Sequence, residues 1–117
     1  MLPRLALLQG VFYLLTGIWP LVDIGSFQLV TGPKTDLWLV KTVGVLVAVI
    51  GAALLVAARR RSLGDEVVVL AAGSALGLAA IDIIYSLSGR ISAIYLGDAA
   101  VEIGLAVLWA IAWRRAR

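Results

Sequence analysis

An all-α fold, an integral membrane four-helix bundle in a single domain over residues 1–117, is what this sequence predicts. Three observations carry the expectation. Hydrophobic residues make up 62% of the chain and charged ones only 15%, whereas a soluble domain sits near half and a quarter. The apolar residues gather into four runs, each about long enough to cross ~30 Å of hydrocarbon at 1.5 Å per residue. Short segments carrying Gly, Pro, Ser and Arg separate the runs.

The first span is expected from about Leu5 to Val22. Arg4 before an apolar run resembles the start of a signal peptide. No small-x-small cleavage site follows, and Gln9, Tyr13 and Trp19 suit a signal core poorly, so the segment reads as a retained helix. Pro20 sits near its exit, where a broken helix does least harm. The extracytoplasmic loop 23–36 comes next. Ser26 is expected to cap a short interfacial helix with Phe27, Leu29 and Val30 on its apolar face. Gly32-Pro33 signals a turn, and Thr35 or Asp36 caps the second span. A loop of this length also reads as a lid over the helix ends.

The second span is expected over about 37–58, stopped by Arg59-Arg60-Arg61. The turn Ser62-Leu63-Gly64-Asp65 leads to the third, about 66–86, where Asp65 and Glu66 suit a helix N-terminus. Ser88-Gly89-Arg90 is a second turn. The fourth span, about 94–113, ends in Arg114-Arg115-Ala116-Arg117.

Seven of the ten basic residues (Arg4, Arg59, Arg60, Arg61, Arg114, Arg115 and Arg117) flank helix ends on one side, with Lys34 and Arg90 on the other. Positive residues stay inside, so both termini are expected in the cytoplasm. That distribution, not nucleic-acid binding, explains the net charge of +3. Trp19, Trp38, Trp109 and Trp113 fall near span ends, as an aromatic belt requires.

The absence of cysteine and histidine removes disulfides, thiolate metal sites, haem ligation and Ser-His or Cys-His nucleophiles. Acid–base work falls to carboxylates, Lys or Tyr. Only hard, oxygen-bound cations remain as metals. No cofactor and no metal site is expected.

Glycines recur at helical spacing in every span: Gly10 and Gly17, Gly44 and Gly51, Gly73 and Gly77, Gly97 and Gly104. Each pair is expected to form a packing seam, with Gly73–Gly77 the best candidate for a dimer contact. The equal spacing in spans two and four suggests two helix hairpins related as a parallel repeat.

Four ionisable side chains lie inside the spans: Lys41, Asp82, Asp98 and Glu102. Counted from the helix ends they share one depth, about a turn below the outer rim, with Glu102 a turn deeper on the face of Asp98. Charges in hydrocarbon normally face a protein interior and find partners there. Tyr85 and Tyr95, with Thr42 and Ser86, supply hydroxyls nearby, and Tyr13 and Thr16 approach from the first span. Three acids face one base, and crowded carboxylates in a low dielectric do not all ionise. Asp82 is expected to pair with Lys41, leaving Asp98 and Glu102 to carry a proton or cation. The bland reading is snorkelling to headgroups, or a network that fixes helix register. Gln9 is expected in an interhelical hydrogen bond.

The stretch Thr31-Gly-Pro-Lys-Thr-Asp36, followed by Leu-Trp-Leu-Val-Lys41-Thr-Val-Gly44, resembles a group of small uncharacterised bacterial four-span membrane proteins. Gly17-Ile-Trp-Pro20 and Ala80-Ile-Asp82 fit the same likeness, which spans most of the chain and implies no catalytic residues. A looser likeness to DoxX-like proteins rests on span count and the long first loop. Small multidrug exporters place an acid within their first span, and this chain has none there.

The leading functional expectation is a protein of the bacterial inner (plasma) membrane. It binds a small molecule or ion in an outer-leaflet pocket, with transport as one form of that role. An accessory subunit, forming a homo-oligomer or joining a larger membrane complex, is the alternative. A membrane isomerase is the third, and it would need an apolar cavity beside Glu102. The lipid bilayer is the partner common to all three.

Overall fold

The computed structural model describes residues 1–60 and 63–116. Arg61, Ser62 and Arg117, assigned above to the basic stop, the turn and the basic tail, lie outside the described residues. Among the described residues the chain forms α1 (Leu2–Val22), α2 (Ile24–Thr31), α3 (Leu37–Ala57), α4 (Asp65–Leu87) and α5 (Ile94–Ala116). All but α2 are long and apolar enough to cross a membrane. Their outer faces carry Leu15, Leu46, Val49, Val56 and Val69, each at least 59% exposed. A helix that is apolar all round suits lipid rather than water.

The helices pack as two antiparallel pairs, α1 with α3 and α4 with α5, joined by α1 against α5 and α3 against α4. The first pair is built on backbone contact. A methyl group at Gly17 would stand 2.6 Å from the Gly44 carbonyl oxygen and 2.5 Å from the Ala48 amide nitrogen. One at Gly51 would stand 2.8 Å from the Gly10 carbonyl oxygen and 2.6 Å from the Leu14 nitrogen. Seven-residue spacing on both helices brings Gly10 to Gly51 and Gly17 to Gly44, so the antiparallel backbones touch at two levels. Pro20, inside α1 and buried, lies against Gly44.

The second pair packs differently from the expectation. Gly73, Gly77, Gly97 and Gly104 have nothing within reach of an added methyl. The buried stripe of α4 is instead Val68, Ala71, Ala75, Ala79 and Asp82. Each helical residue advances about 100°. Gly73 and Gly77 lie two residues on from Ala71 and Ala75, and therefore on the opposite face. On α5 the buried stripe is Ala99, Glu102, Leu105, Ala106, Trp109 and Ala112. The glycines of α3 face α1, whereas those of α5 touch no neighbouring helix. The parallel repeat suggested by their spacing is therefore not present in the packing.

The start of α1, the end of α3, the start of α4, the end of α5 and the main core share one end of the molecule, called here the terminal end. Leu5, Ala6, Leu54, Val68, Ala71, Trp109 and Ala112 close it with an apolar cluster. Trp109 is fully buried and belongs to this core, not to an aromatic belt, because it falls on the inward stripe of α5. Trp113 Nε1 donates to Asp65 Oδ1 at 2.9 Å, tying the end of α5 to the start of α4. Asp65 and Glu66 begin α4, and Arg114 and Arg115 end α5. Each charge opposes the local end of the helix dipole.

At the other end, the loop end, α2 lies across the bundle. Its cap is the Asp23 carboxylate, which accepts from the Ser26 amide at 3.1 Å, so Asp23 rather than Ser26 starts the helix. Ser26 is used elsewhere: its hydroxyl accepts Trp19 Nε1 at 2.8 Å. Phe27 packs edge-on against Trp19, with ring centres 5.3 Å apart. Leu29 points outward instead, and Val30 is half-exposed at the edge of the bundle. Asp36 occupies the cap position of α3 but makes no side-chain cap bond. Gly32 leaves α2 at φ 98°, a conformation open to glycine at little cost.

Replacing Gly17 or Gly51 by Leu should sharply lower the thermal unfolding midpoint in detergent, followed by circular dichroism. Overpacking typically costs about 1–3 kcal/mol, and here it meets backbone that cannot yield. Gly73→Ala and Gly104→Ala should leave the midpoint unchanged or raise it slightly. Equal losses in both sets would contradict the seam assigned here.

Candidate functional site

An open cavity of about 890 Å³ lies between the two helix pairs in the loop-end half of the molecule. Its walls come from all five helices. Phe12, Val40, Val43, Val47, Leu78 and Val101 make most of it apolar. Three carboxyl groups reach it from two helices: Asp82 of α4, and Asp98 and Glu102 of α5.

Glu102 is the deepest. It lies eight residues into α5, roughly 12 Å along the axis at 1.5 Å per residue. It is completely buried, and the Tyr13 hydroxyl donates to its two carboxyl oxygens at 2.9 and 3.0 Å. Tyr13 reaches across because the glycine seam of α1 faces α3, which leaves the flank bearing Gln9 and Tyr13 turned to α5. Ser74 and Gln9 also approach the Tyr13 hydroxyl. Such a network fixes a carboxyl group in place and satisfies it at once.

Asp82 is different. It is 5% exposed, and its Oδ2 has no hydrogen-bond partner. The charged groups that act on it are Asp98 and Glu102. Asp98 is half-buried and beside Asp82. Leaving a buried polar atom unpaired usually costs about 1–3 kcal/mol. Such an atom therefore calls for an explanation in what the cavity holds. The described residues contain no cluster of three or more acidic, His or Cys side chains able to hold a metal ion. The acids surround a space without forming a metal cage.

Toward the terminal end the polar network stops at Gln9. This buried amide donates to the Ala71 carbonyl at 3.0 Å and accepts Trp109 Nε1 at 2.7 Å. It thus joins α1, α4 and α5 in the interhelical role expected of it. Beyond lies the apolar core.

Lys41 does not join the acids. It is exposed and absent from the cavity wall. Val40, Val43 and Val47 face the cavity, and one residue on from Val40 the helix has turned about 100°. Lys41 therefore lies beyond the seam with α1, and the expected Asp82–Lys41 pair is not formed. Tyr85 is 39% exposed and also lies outside the wall, whereas Tyr95 lines it. Thr42 and Ser86 spend their hydroxyls on the carbonyls of Trp38 and Ser92. Thr16 lines the cavity while donating to Phe12 O at 2.8 Å.

The basic residues that do reach the cavity are Lys34 and Arg90, both from the loop end. Sequence reasoning had used them only for topology. The Lys34 ammonium donates to the carbonyls of Thr31 and Gly32 at 3.0 and 2.8 Å and to Thr31 Oγ1 at 3.2 Å. It lies 5.2 Å from the Tyr95 ring centre and 5.8 Å from that of Phe27. A cation at a helix C-terminus, over aromatic faces, is held by the dipole and by ring quadrupoles. Lys34 thus ties the end of α2 to the Tyr95 ring of α5 at the loop end.

Tyr13→Phe should destabilise the solubilised protein by about 1–3 kcal/mol, the cost of leaving a buried acceptor unpaired. Tyr13→Phe with Glu102→Leu should recover part of that loss, because no unpaired acceptor is then left buried. Strict additivity in this double-mutant cycle would show that the two side chains are not coupled. No family model, curated protein or solved structure matches this chain.

Proposed function

We propose that this chain is an integral protein of the bacterial inner membrane, with both termini cytoplasmic, that binds a small cationic ligand between α4 and α5. One observation carries the reading: the Asp82 carboxyl group, buried and half unpartnered, lies beside two further acids in an apolar cavity. Three crowded carboxyl groups with no basic neighbour at their level do not all ionise, and one carboxylate among them is enough to draw a cation. A cation there is attracted far more strongly than in water. Glu102 is already held by Tyr13, while Asp82 and Asp98, side by side, are left to meet the ligand. The arginines that flank the terminal end support the orientation. The likeness to small four-span bacterial membrane proteins agrees with this setting.

A membrane isomerase is the second reading. The apolar cavity beside Glu102 favours it, since a carboxyl group and a tyrosine could exchange a proton with a lipid-soluble substrate.

Melts of the detergent-solubilised protein followed by tryptophan fluorescence test the binding reading. Methylammonium, choline, sodium and potassium chlorides would be compared with acetate, phosphate and glycerol. At least one cation should raise the midpoint by several degrees and saturate, as linkage requires, while the anions and glycerol should not. Asp82→Asn should abolish the response. Absence of any cation-specific shift, or the same shift in Asp82→Asn, would overturn the reading.

A further inference from the structure

The way into the cavity indicates what kind of cation it takes. At the loop end α2 is docked by the Trp19–Ser26 bond and the Trp19–Phe27 ring contact, while Val30, Pro33, Thr35 and Arg90 line the cavity and are exposed. The flank is open as well. Leu39 and Val43 of α3, and Ile94 and Val101 of α5, all line the cavity. Each is nevertheless 46–49% exposed. These four side chains have one face on the cavity and the other on the outside of the molecule. In a bilayer that outside is hydrocarbon. The cavity therefore opens sideways, between apolar lips, at the level of the acids.

An amphiphile dissolved in the membrane reaches the flank opening directly, without first leaving the bilayer. Within the cavity, Val43, Val47, Leu78 and Val101 offer apolar contact beside the carboxyl groups of Asp82 and Asp98. At about 890 Å³ the space falls in the range that holds drug-sized molecules, roughly 300–1,000 Å³.

We infer that the ligand is a lipid-soluble amine, whose ammonium head meets Asp82 and Asp98 and whose apolar body leaves along Val43 and Val101 toward the bilayer. The inference rests on the cation-binding reading above and narrows it to one chemical class and one route. The two oxygens of each carboxylate accept the N–H groups of the head, and Asp82 Oδ2 gains the partner it lacks. Glu102 keeps its bond from Tyr13, and the valines and Leu78 take the alkyl chain.

Photo-crosslinking of the full chain in lipid nanodiscs tests this. Three probes of equal length would carry the same alkyl diazirine and end in a primary amine, an alcohol or a carboxylic acid. The amine probe should label peptides of α3 and α5 that contain Val43, Val47 or Val101. Excess dodecylamine should suppress that labelling at least tenfold, whereas dodecanol and dodecanoate should not. Asp82→Asn should reduce amine labelling about tenfold. Gly97→Leu, which grows into the cavity from a position where an added methyl meets nothing, should block it. Competition within the wild-type protein keeps the test independent of how the variants fold. Equal labelling or competition by the alcohol or the acid overturns the amine assignment. Labelling confined to the loop end overturns the lateral route. Small cations that stabilise the protein while the amine probe fails to label α3 and α5 would sink this inference alone. Failure of both measurements would sink the binding reading with it.

Discussion

Backbone contact between α1 and α3 is the constraint on which the remaining geometry depends. Two glycine pairs, seven residues apart on each helix, let the chains touch where any side chain would collide with main-chain atoms. Lipid tails are as apolar as leucine, so close van der Waals approach replaces the hydrophobic effect as the source of helix association. Once Gly10 and Gly17 are committed to α3, the rotation of α1 is settled. Gln9 and Tyr13 are then carried to the flank that meets α4 and α5. The same contact settles α3, whose valines turn to the cavity while Lys41 turns away. The arrangement of the acids thus follows from residues that carry no charge.

The two ends of the bundle answer different demands. Near the chain termini the helices meet through alanines, leucines and a tryptophan, with a single glutamine satisfied on both sides. Near the loop the pairs diverge, and the space between them holds carboxyl groups that each cost free energy to bury. One such group is satisfied by a tyrosine and another is left short of a partner. Proteins tolerate such local conflict where function requires it and compensate elsewhere. Here the compensation is the tight first pair and the dry terminal end.

Depth along each helix was legible from the sequence; rotation about each helix was not. Hydropathy located the spans to within a few residues. Counting from their ends placed Asp82, Asp98 and Glu102 at one level, where the structure has them together. Rotation depends on which small residues win the packing, and a single sequence offers rival stripes. Ala71, Ala75 and Ala79 compete with Gly73 and Gly77 on α4, and the alanines face inward because they continue the stripe through Val68 and Asp82. Lys41 failed for the same reason, since its depth was right and its azimuth was not. Trp109 was read from its place near a span end, although it shares a face with Leu105 and Ala112. Lys34 was visible in principle, as a cation three residues beyond the end of α2, the place where positive charge meets free carbonyls.

The dry terminal end has one further meaning. Between Gln9 and the chain termini, the interior described here presents methyl groups, an indole and a stapled pair of helix ends. A guest resting against the acids meets a wall there and must depart by its own doorway. On the proposed reading, this conformation suits capture, holding and return, as in a receptor or a store. Carriage to the opposite face would demand that Gln9 release both Ala71 and Trp109 in the same movement.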